Sequence, residues 1–264
     1  MTVHQAASDA DVLIVTTALF LSTPTQPVAI VSKDTDVLAI ATARSTNQQC
    51  MYVLMPGGQT PARIYNIRNL QQTLGASMTQ ALLFIHDATG CDTTSAMFRK
   101  GKKSGFDLLK KNSELRSTVS VFNKPDATNA EVTSAGEAFL IMLYTPKNQK
   151  KHFDNLDEFR FFAYSQMVGR QKLSASFDLA TLPPTSDAGR QHFYRVYHQV
   201  CIIYLCFLYY HHNNCLILCF EIYFRSNNGW ETTYRRPIGV GSYAASLWHR
   251  YLWRHFLRPR SLCT

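Results

Sequence analysis

The chain has 264 residues, of which 46% are hydrophobic and 17% are charged, and its formal net charge is +9 at pH 7. This length and composition allow a buried core and exclude an intrinsically disordered chain. The basic excess favours an anionic partner such as a nucleic acid.

Two features of the sequence bear on its cellular compartment. The first ten residues are polar and acidic, so we expect no secretory signal peptide. The chain has seven cysteines, an odd number, and five of them lie at or beyond Cys201, which is not the pattern of a secreted disulfide framework. We therefore expect an intracellular protein, and nucleic-acid binding would be compatible with the nucleus.

A helix is predicted over residues 8–20, where Ser8 and Asp9 precede an apolar run. Asp9 and Asp11 are two residues apart, and such a pair does not share a face of a regular helix. They could converge on one ion only if Asp9 lies at the N-cap, where the backbone is not yet helical. The alternative interpretation is that both acids only cap the helix and complement its dipole.

A buried parallel strand is predicted over residues 28–32, a continuous apolar run that follows two prolines. Asp34 and Asp36 come next, at the carboxyl end of the strand, where open α/β sheets bind ligands. Further strands are predicted at 51–55 and near 62–67, and helices at 37–43, 70–74 and 78–85. Strands that alternate with helices indicate an α/β sheet.

Residues 82–111 combine an apolar run, a Gly-Cys-Asp turn ending at Asp92, and a basic loop that opens a helix near residues 106–109. Between Arg99 and Lys124 the chain has eight basic residues and only two acidic ones. Loop amides, a helix N-terminus and neighbouring lysines all attract phosphate oxygens. The candidate phosphate contacts are Arg99, Lys100, Gly101, Lys102 and Lys103. The alternative is a solvated run of charge.

The second half of the chain is predicted to be helical up to residue 199, with helices at 130–144 and 156–168. Their aromatic residues have helical spacing, which is more typical of a core than of a base-stacking platform. Beyond residue 200 the composition changes abruptly, and the apolar run is too short for a membrane span. The Cys and His spacings there match no usual zinc pair. We predict that residues 200–264 are non-coding sequence translated past a missed splice junction and lie outside the fold.

Three acidic motifs occur in the order DADVLIV, SKDTDVL and TGCDTTSAMFRKGKKSGFDLL. Together they resemble the flap-endonuclease/XPG branch of the PIN-like nuclease superfamily, and most closely the PIN-like proteins of transposon-type invertebrate genes. The resemblance implies a PIN-like domain over residues 1–125, with a parallel sheet flanked by helices, and a helical extension over residues 126–199.

The resemblance also implies a metal-dependent nuclease, an endonuclease or 5′-exonuclease acting on branched or flap DNA or RNA. Five acids correspond to the family's ligands for two Mg²⁺ or Mn²⁺ ions: Asp9, Asp11, Asp34, Asp36 and Asp92. Carboxylate oxygens suit these hard cations. Two ions about 4 Å apart can activate water and stabilise the leaving oxygen, so no protein nucleophile is required.

The basic loop resembles the helix–hairpin–helix element with which the family grips duplex backbone. Gly101 and Lys103 match its pattern, whereas Arg99 stands where the first glycine is expected. We interpret His86, which precedes the Gly-Cys-Asp turn, as a structural residue. The family's first strand and further acids would precede Met1, so we expect a truncated domain that is weakly active or inactive. A catalytically dead nucleic-acid-binding module of transposon origin is the alternative.

Overall fold

A computed structural model describes residues 3, 5–6, 9–59, 61–146, 151–170 and 178–213. Within these ranges the chain forms nine α-helices and three strands. In chain order they are α1 (Ala10–Leu21), β1 (Val28–Val31), α2 (Thr35–Arg44), β2 (Met51–Met55), β3 (Arg63–Asn66), α3 (Ile67–Leu74), α4 (Ala76–Ala88), α5 (Lys102–Lys111), α6 (Ser113–Thr118), α7 (Asn129–Tyr144), α8 (Leu156–Arg170) and α9 (Ser186–Asn213). Short 3₁₀ helices lie at Val119–Asn123 and Leu179–Thr181.

The three strands form a small mixed sheet in the order β1-β2-β3. The α2 crossover makes β1 and β2 parallel, and Ile30 lies opposite Val53. The short loop after β2 returns the chain as a hairpin, so β3 is antiparallel and Tyr65 lies opposite Val53. The predicted α/β class is confirmed, but the sheet is mixed rather than wholly parallel.

One face of the sheet is buried and the other is exposed. Ile30 and Val53 are buried on one face, whereas Val31 and Ile64 on the other are 64% and 70% exposed. This alternation follows from the two-residue period of a strand, which points successive side chains to opposite faces. Helix α1 packs beside β1 and against α2, and α2 begins just after β1 ends, so the acids at the starts of these helices lie near the end of that strand.

The main core is centred on Phe84 of α4, whose side chain is fully buried. Its ring centroid lies 4.5 Å from that of Phe122, 4.9 Å from that of Phe139 and 6.3 Å from that of Phe193. Phe139 belongs to α7 and Phe193 to α9, so the helices after residue 125 share one hydrophobic core with the preceding part.

The predicted boundary at residue 200 falls inside α9, which continues to Asn213. Val200, Cys201 and Ile203 are buried in the same core. Residues 214–264, the greater part of the predicted aberrant tail, lie outside the described residues. Among the helices that are described, none combines the length and the apolar character needed to span a bilayer.

A buried histidine predicts one pH dependence of stability. His192 of α9 contacts the Ala88 carbonyl oxygen through Nε2 at 3.1 Å, and its Nδ1 is buried without a partner among the described residues. Burial lowers its pKa below the ordinary 6.5, with the charge of Arg195 acting in the same direction. Below about pH 6.5 the unfolded chain binds a proton that the folded chain excludes, so stability falls as the pH falls.

We expect the free energy of unfolding to decrease less between pH 7 and pH 5 in His192→Gln than in the wild type. The glutamine amide can still donate to the Ala88 carbonyl oxygen, but it does not ionise. Urea unfolding at the two pH values measures the difference. His198, whose burial also lowers its pKa, remains in both proteins and leaves a residual slope in the variant. Equal losses in the two proteins would show that His192 is not responsible.

Candidate metal centre

Two helices begin with the same Asp-x-Asp arrangement. Asp9 caps α1, and its Oδ1 accepts hydrogen bonds from the backbone N–H groups of Asp11 at 2.8 Å and Val12 at 3.1 Å. Asp34 caps α2 in the same way and accepts from the N–H of Asp36 at 2.9 Å. The predicted capping role of Asp9 is confirmed. Each cap has an extended backbone, so the acid two residues later lies in the first helical turn.

Three of the five predicted acids come together at these helix starts. Asp11, Asp34 and Asp36 each offer a carboxylate oxygen, and the three oxygens lie within 4.8 Å of one another. Asp9 and Asp92 lie outside this group of three. Both are nevertheless close enough for their charges to act on Asp11. We call Asp11, Asp34 and Asp36 the acidic cluster.

Asp11 experiences the strongest repulsion in the acidic cluster. Partial burial and the negative charges of Asp34, Asp9, Asp36 and Asp92 raise its pKa from 3.8 to about 6. Like charges at short range disfavour the ionised form, and a bound cation would reverse that effect. The acidic cluster therefore has the electrostatic character of a cation site.

Asp36 is the member of the cluster that contacts positive groups. His86 Nε2 lies 2.6 Å from its Oδ1, and Lys102 Nζ lies 3.5 Å from the same oxygen. Burial alone would favour the neutral acid, but these two partners lower the pKa of Asp36 below its ordinary value. None of the contacts described for Asp36 uses Oδ2, so that oxygen can face a metal ion.

His86 is more than a packing residue. It is buried at the end of α4, and its Nδ1 lies 2.8 Å from Asp87 Oδ1. Burial opposes its protonation, yet contacts with Asp87, Cys91 and Asp36 raise its pKa to about 10, so it is an imidazolium at neutral pH. The sequence-based interpretation of His86 as structural missed this ion pair with a predicted metal ligand. Its only sequence signal was its position just before the Gly-Cys-Asp turn.

The basic loop meets the acidic cluster through Lys102, the first residue of α5. The other predicted phosphate contacts have different partners. Arg99 lies over the Phe98 ring at 5.0 Å, and Lys100 lies over the Tyr144 ring at 5.2 Å. Lys103 pairs with Asp107 at 2.6 Å but remains 87% exposed. Gly101 is the N-cap of α5 and supplies no side-chain cap, so the helix start can accept an anion.

Arg99 adopts a backbone conformation that suits glycine. Its φ is +56°, the only positive value at a non-glycine residue in the described part of the chain. It occupies the third position of a turn closed by the hydrogen bond from Lys100 N–H to the Met97 carbonyl oxygen, at 3.0 Å. This is the position at which the nuclease resemblance calls for glycine.

We expect Arg99→Gly to be more stable than Arg99→Ala by about 0.5–1 kcal/mol. A positive φ costs alanine about 1–2 kcal/mol because of its Cβ, and glycine avoids this cost. Part of the advantage of glycine is offset because it increases the conformational entropy of the unfolded chain. Both variants lose the guanidinium, so the comparison isolates the backbone effect. Chemical denaturation measures it, and equal stabilities would contradict a strained turn.

The chemistry of the acidic cluster fits a hard divalent cation. Its donors are all carboxylate oxygens, which is the ligand type of Mg²⁺ and Mn²⁺, and Asp34 is exposed, so solvent can reach the site. Asp11, Asp34 and Asp36 could therefore hold a metal ion. No family model, no curated protein and no solved structure matches this chain.

Proposed function

We propose that this protein is a metal-dependent, nuclease-like protein that cleaves phosphodiester bonds in structured nucleic acid. The observation that carries the proposal is the convergence of Asp11, Asp34 and Asp36 within 4.8 Å, directly beside the basic start of α5. A phosphodiester needs both features, because its cleavage places negative charge on oxygens that a cation must stabilise.

The acidic cluster would hold Mg²⁺ or Mn²⁺ as the resident cofactor. When bound, such an ion supplies a Lewis acid and lowers the pKa of a water molecule that attacks phosphorus. Asp9 and Asp34 keep the two helix starts in place through their caps. His86 would hold the Asp36 carboxylate from the buried side through its ion pair, as residues behind metal ligands do.

The basic loop would hold the phosphate backbone next to the acidic cluster. Lys102 already reaches Asp36, so a phosphate bound at the start of α5 would lie at the border of the cluster. Lys100, Lys103 and the first-turn amides of α5 would add further contacts. The overall charge of +9 favours the same partner.

One observation favours a second candidate, a protein that binds nucleic acid without cleaving it. Asp36 Oδ1 is already paired with two cationic side chains, His86 and Lys102. Such pairing competes with a metal ion for the carboxylate. A cluster with reduced metal affinity would leave the basic loop as the functional part.

Cleavage of labelled flap, hairpin and single-stranded DNA and RNA by the purified full chain tests the proposal. We expect products with Mn²⁺ or Mg²⁺ and none with EDTA. Salt-dependent binding of the same substrates without cleavage, under every metal condition, would contradict the nuclease and support the binding protein.

Neutralising the lysines of the basic loop is expected to weaken binding in either case. In the variant Lys100→Gln/Lys102→Gln/Lys103→Gln, the binding constant should depend less steeply on salt. The magnitude of the slope of its logarithm against log salt should decrease by about one for each lysine that contacts phosphate. The matched control is Lys110→Gln/Lys111→Gln/Lys124→Gln, which removes equal charge outside the basic loop. Equal losses of affinity in the two triple variants would show that only net charge matters.

A further inference from the structure

A second group of metal-ligand side chains lies behind the acidic cluster. His86 and Asp87 end α4, and Cys91 lies in the turn that follows. One ring nitrogen of His86, one carboxylate oxygen of Asp87 and Cys91 Sγ all lie within 4.8 Å of one another. Nitrogen, oxygen and sulfur donors meet here, in contrast to the oxygen-only acidic cluster.

Asp87 is the group that most needs a further partner. Its side chain is 1% exposed, and only Oδ1 is paired, with His86 Nδ1 at 2.8 Å. Oδ2 is buried and has no hydrogen-bond partner among the described residues. Leaving half of a buried carboxylate unpaired is costly, and burial accordingly raises the pKa of Asp87. His86 is the partner of Oδ1, so Oδ2 is the oxygen of this carboxylate that is left for a metal ion.

Cys91 completes the group with a polarised thiol. Its Sγ lies 3.3 Å from Thr93 Oγ1 and 3.2 Å from Thr94 Oγ1, and the residue is only half-buried. The thiolate is the form that binds metals.

We propose that His86, Asp87 and Cys91 bind a transition-metal ion of the zinc class. Zn²⁺ takes imidazole nitrogen, carboxylate oxygen and thiolate sulfur in a tetrahedral arrangement, whereas Mg²⁺ does not take thiolate. Because Cys91 is partly exposed, a water molecule can take the fourth position. The inference concerns a site separate from the acidic cluster and does not rest on nuclease activity.

Binding of such an ion would require the three donor atoms, which lie within 4.8 Å of one another, to adjust their separations. Donors around tetrahedral Zn²⁺ lie roughly 3.3–3.6 Å apart, so His86 Nδ1 and Asp87 Oδ1, now 2.8 Å apart, must separate slightly. The ion would replace the proton between these atoms and the proton of the thiol, since ligands bind metals deprotonated. Its charge would then neutralise the unpaired half of Asp87.

The zinc-class ion would also connect the two centres. With Nδ1 bound to the ion, His86 Nε2 would carry the proton, and it lies 2.6 Å from Asp36 Oδ1. A carboxylate that accepts from a metal-bound histidine fixes the ring and increases its basicity as a ligand. Asp36 would therefore act as a ligand in the acidic cluster and as the partner of the histidine behind it.

Co²⁺ titration of the chelator-stripped full chain tests the inference, because Co²⁺ bound to thiolate gives a charge-transfer band in the near ultraviolet. We expect the wild type to develop the band with one Co²⁺ per chain and to lose it when Zn²⁺ is added. Cys91→Ser should abolish the band, and Asp87→Asn should weaken Co²⁺ binding at least tenfold.

Two control variants are expected to keep the band. Cys50→Ser removes another half-buried cysteine at the start of the sheet, and Asp126→Ala/Asp154→Ala removes two exposed carboxylates that belong to neither group. No band in the wild type, or a band that survives in Cys91→Ser, would overturn the inference. Circular dichroism of each variant shows that a lost band does not result from lost folding.

The Co²⁺ titration and the cleavage assay together separate this inference from the proposed nuclease function. Loss of the band in Cys91→Ser together with absent cleavage in the wild type would uphold the thiolate site and refute the nuclease. Cleavage by a wild type that shows no band would uphold the nuclease and refute the thiolate site.

Discussion

Replacing Asp34 and Asp36 together with asparagine is expected to reduce metal-dependent cleavage by at least about 100-fold, because even residues behind metal ligands change affinity or activity by about 10–100-fold. Asparagine keeps the cap that Asp34 provides to the N–H of Asp36, since Asn and Asp are comparable N-caps. It removes two negative charges from the acidic cluster. We therefore expect activity to fall, and the free energy of unfolding to fall as well to the extent that buried His86 loses its Asp36 partner.

The matched control is Asp126→Ala/Asp154→Ala, which also removes two carboxylates. Both residues are exposed, and neither belongs to the acidic cluster. Rates of cleavage measured at saturating Mn²⁺ should be unchanged in this control. An Asp34→Asn/Asp36→Asn protein that retains wild-type cleavage would contradict the role given to the acidic cluster.

Phe84→Ala is expected to lower the free energy of unfolding by about 3–5 kcal/mol, the usual cost of removing a buried phenylalanine. The Phe84 ring is fully buried and contacts rings from the 3₁₀ helix at Val119–Asn123, from α7 and from α9. Removing it leaves a cavity where the first 125 residues meet the later helices. The loss should therefore destabilise both parts together, in one transition.

Phe161→Ala is the control for this substitution. Phe161 lies on α8 and is 72% exposed, so its removal should change stability by less than about 0.5 kcal/mol. Urea unfolding followed by circular dichroism measures both variants. Two separate transitions, with only one shifted by Phe84→Ala, would contradict a shared core between residues 1–125 and 126–199.

The positions of the early elements could be predicted because their signals are local. The apolar run at 28–32 contains β1, and Asp9 and Asp34 are the caps of α1 and α2. The positions of Asp11 and Asp36 followed from the same local rules, because an acid two residues after an extended N-cap lies in the first helical turn. The expectation that the two pairs meet at one site came from the nuclease resemblance, and the structure brings Asp11, Asp34 and Asp36 together while Asp9 stays outside the group.

The parts that sequence reasoning missed depend on contacts between distant segments. The ion pair of His86 with Asp36 joins residues 50 positions apart, and no spacing rule connects them. The unpaired Oδ2 of Asp87 depends on burial by several elements at once. The end of the predicted fold at residue 200 followed from a change in composition, yet the packing of Val200 and Ile203 against the core carries α9 across it.

Equilibrium binding of Mn²⁺ by the full chain tests most directly whether the acidic cluster is a metal centre. Free aqueous Mn²⁺ has a strong paramagnetic resonance signal that is lost on binding, so a titration gives both affinity and stoichiometry. We expect saturable binding that Mg²⁺ competes away and that weakens at least tenfold in Asp34→Asn/Asp36→Asn. Asp126→Ala/Asp154→Ala should bind as the wild type does. No saturable binding in the wild type, or the same affinity in Asp34→Asn/Asp36→Asn, would contradict the metal centre.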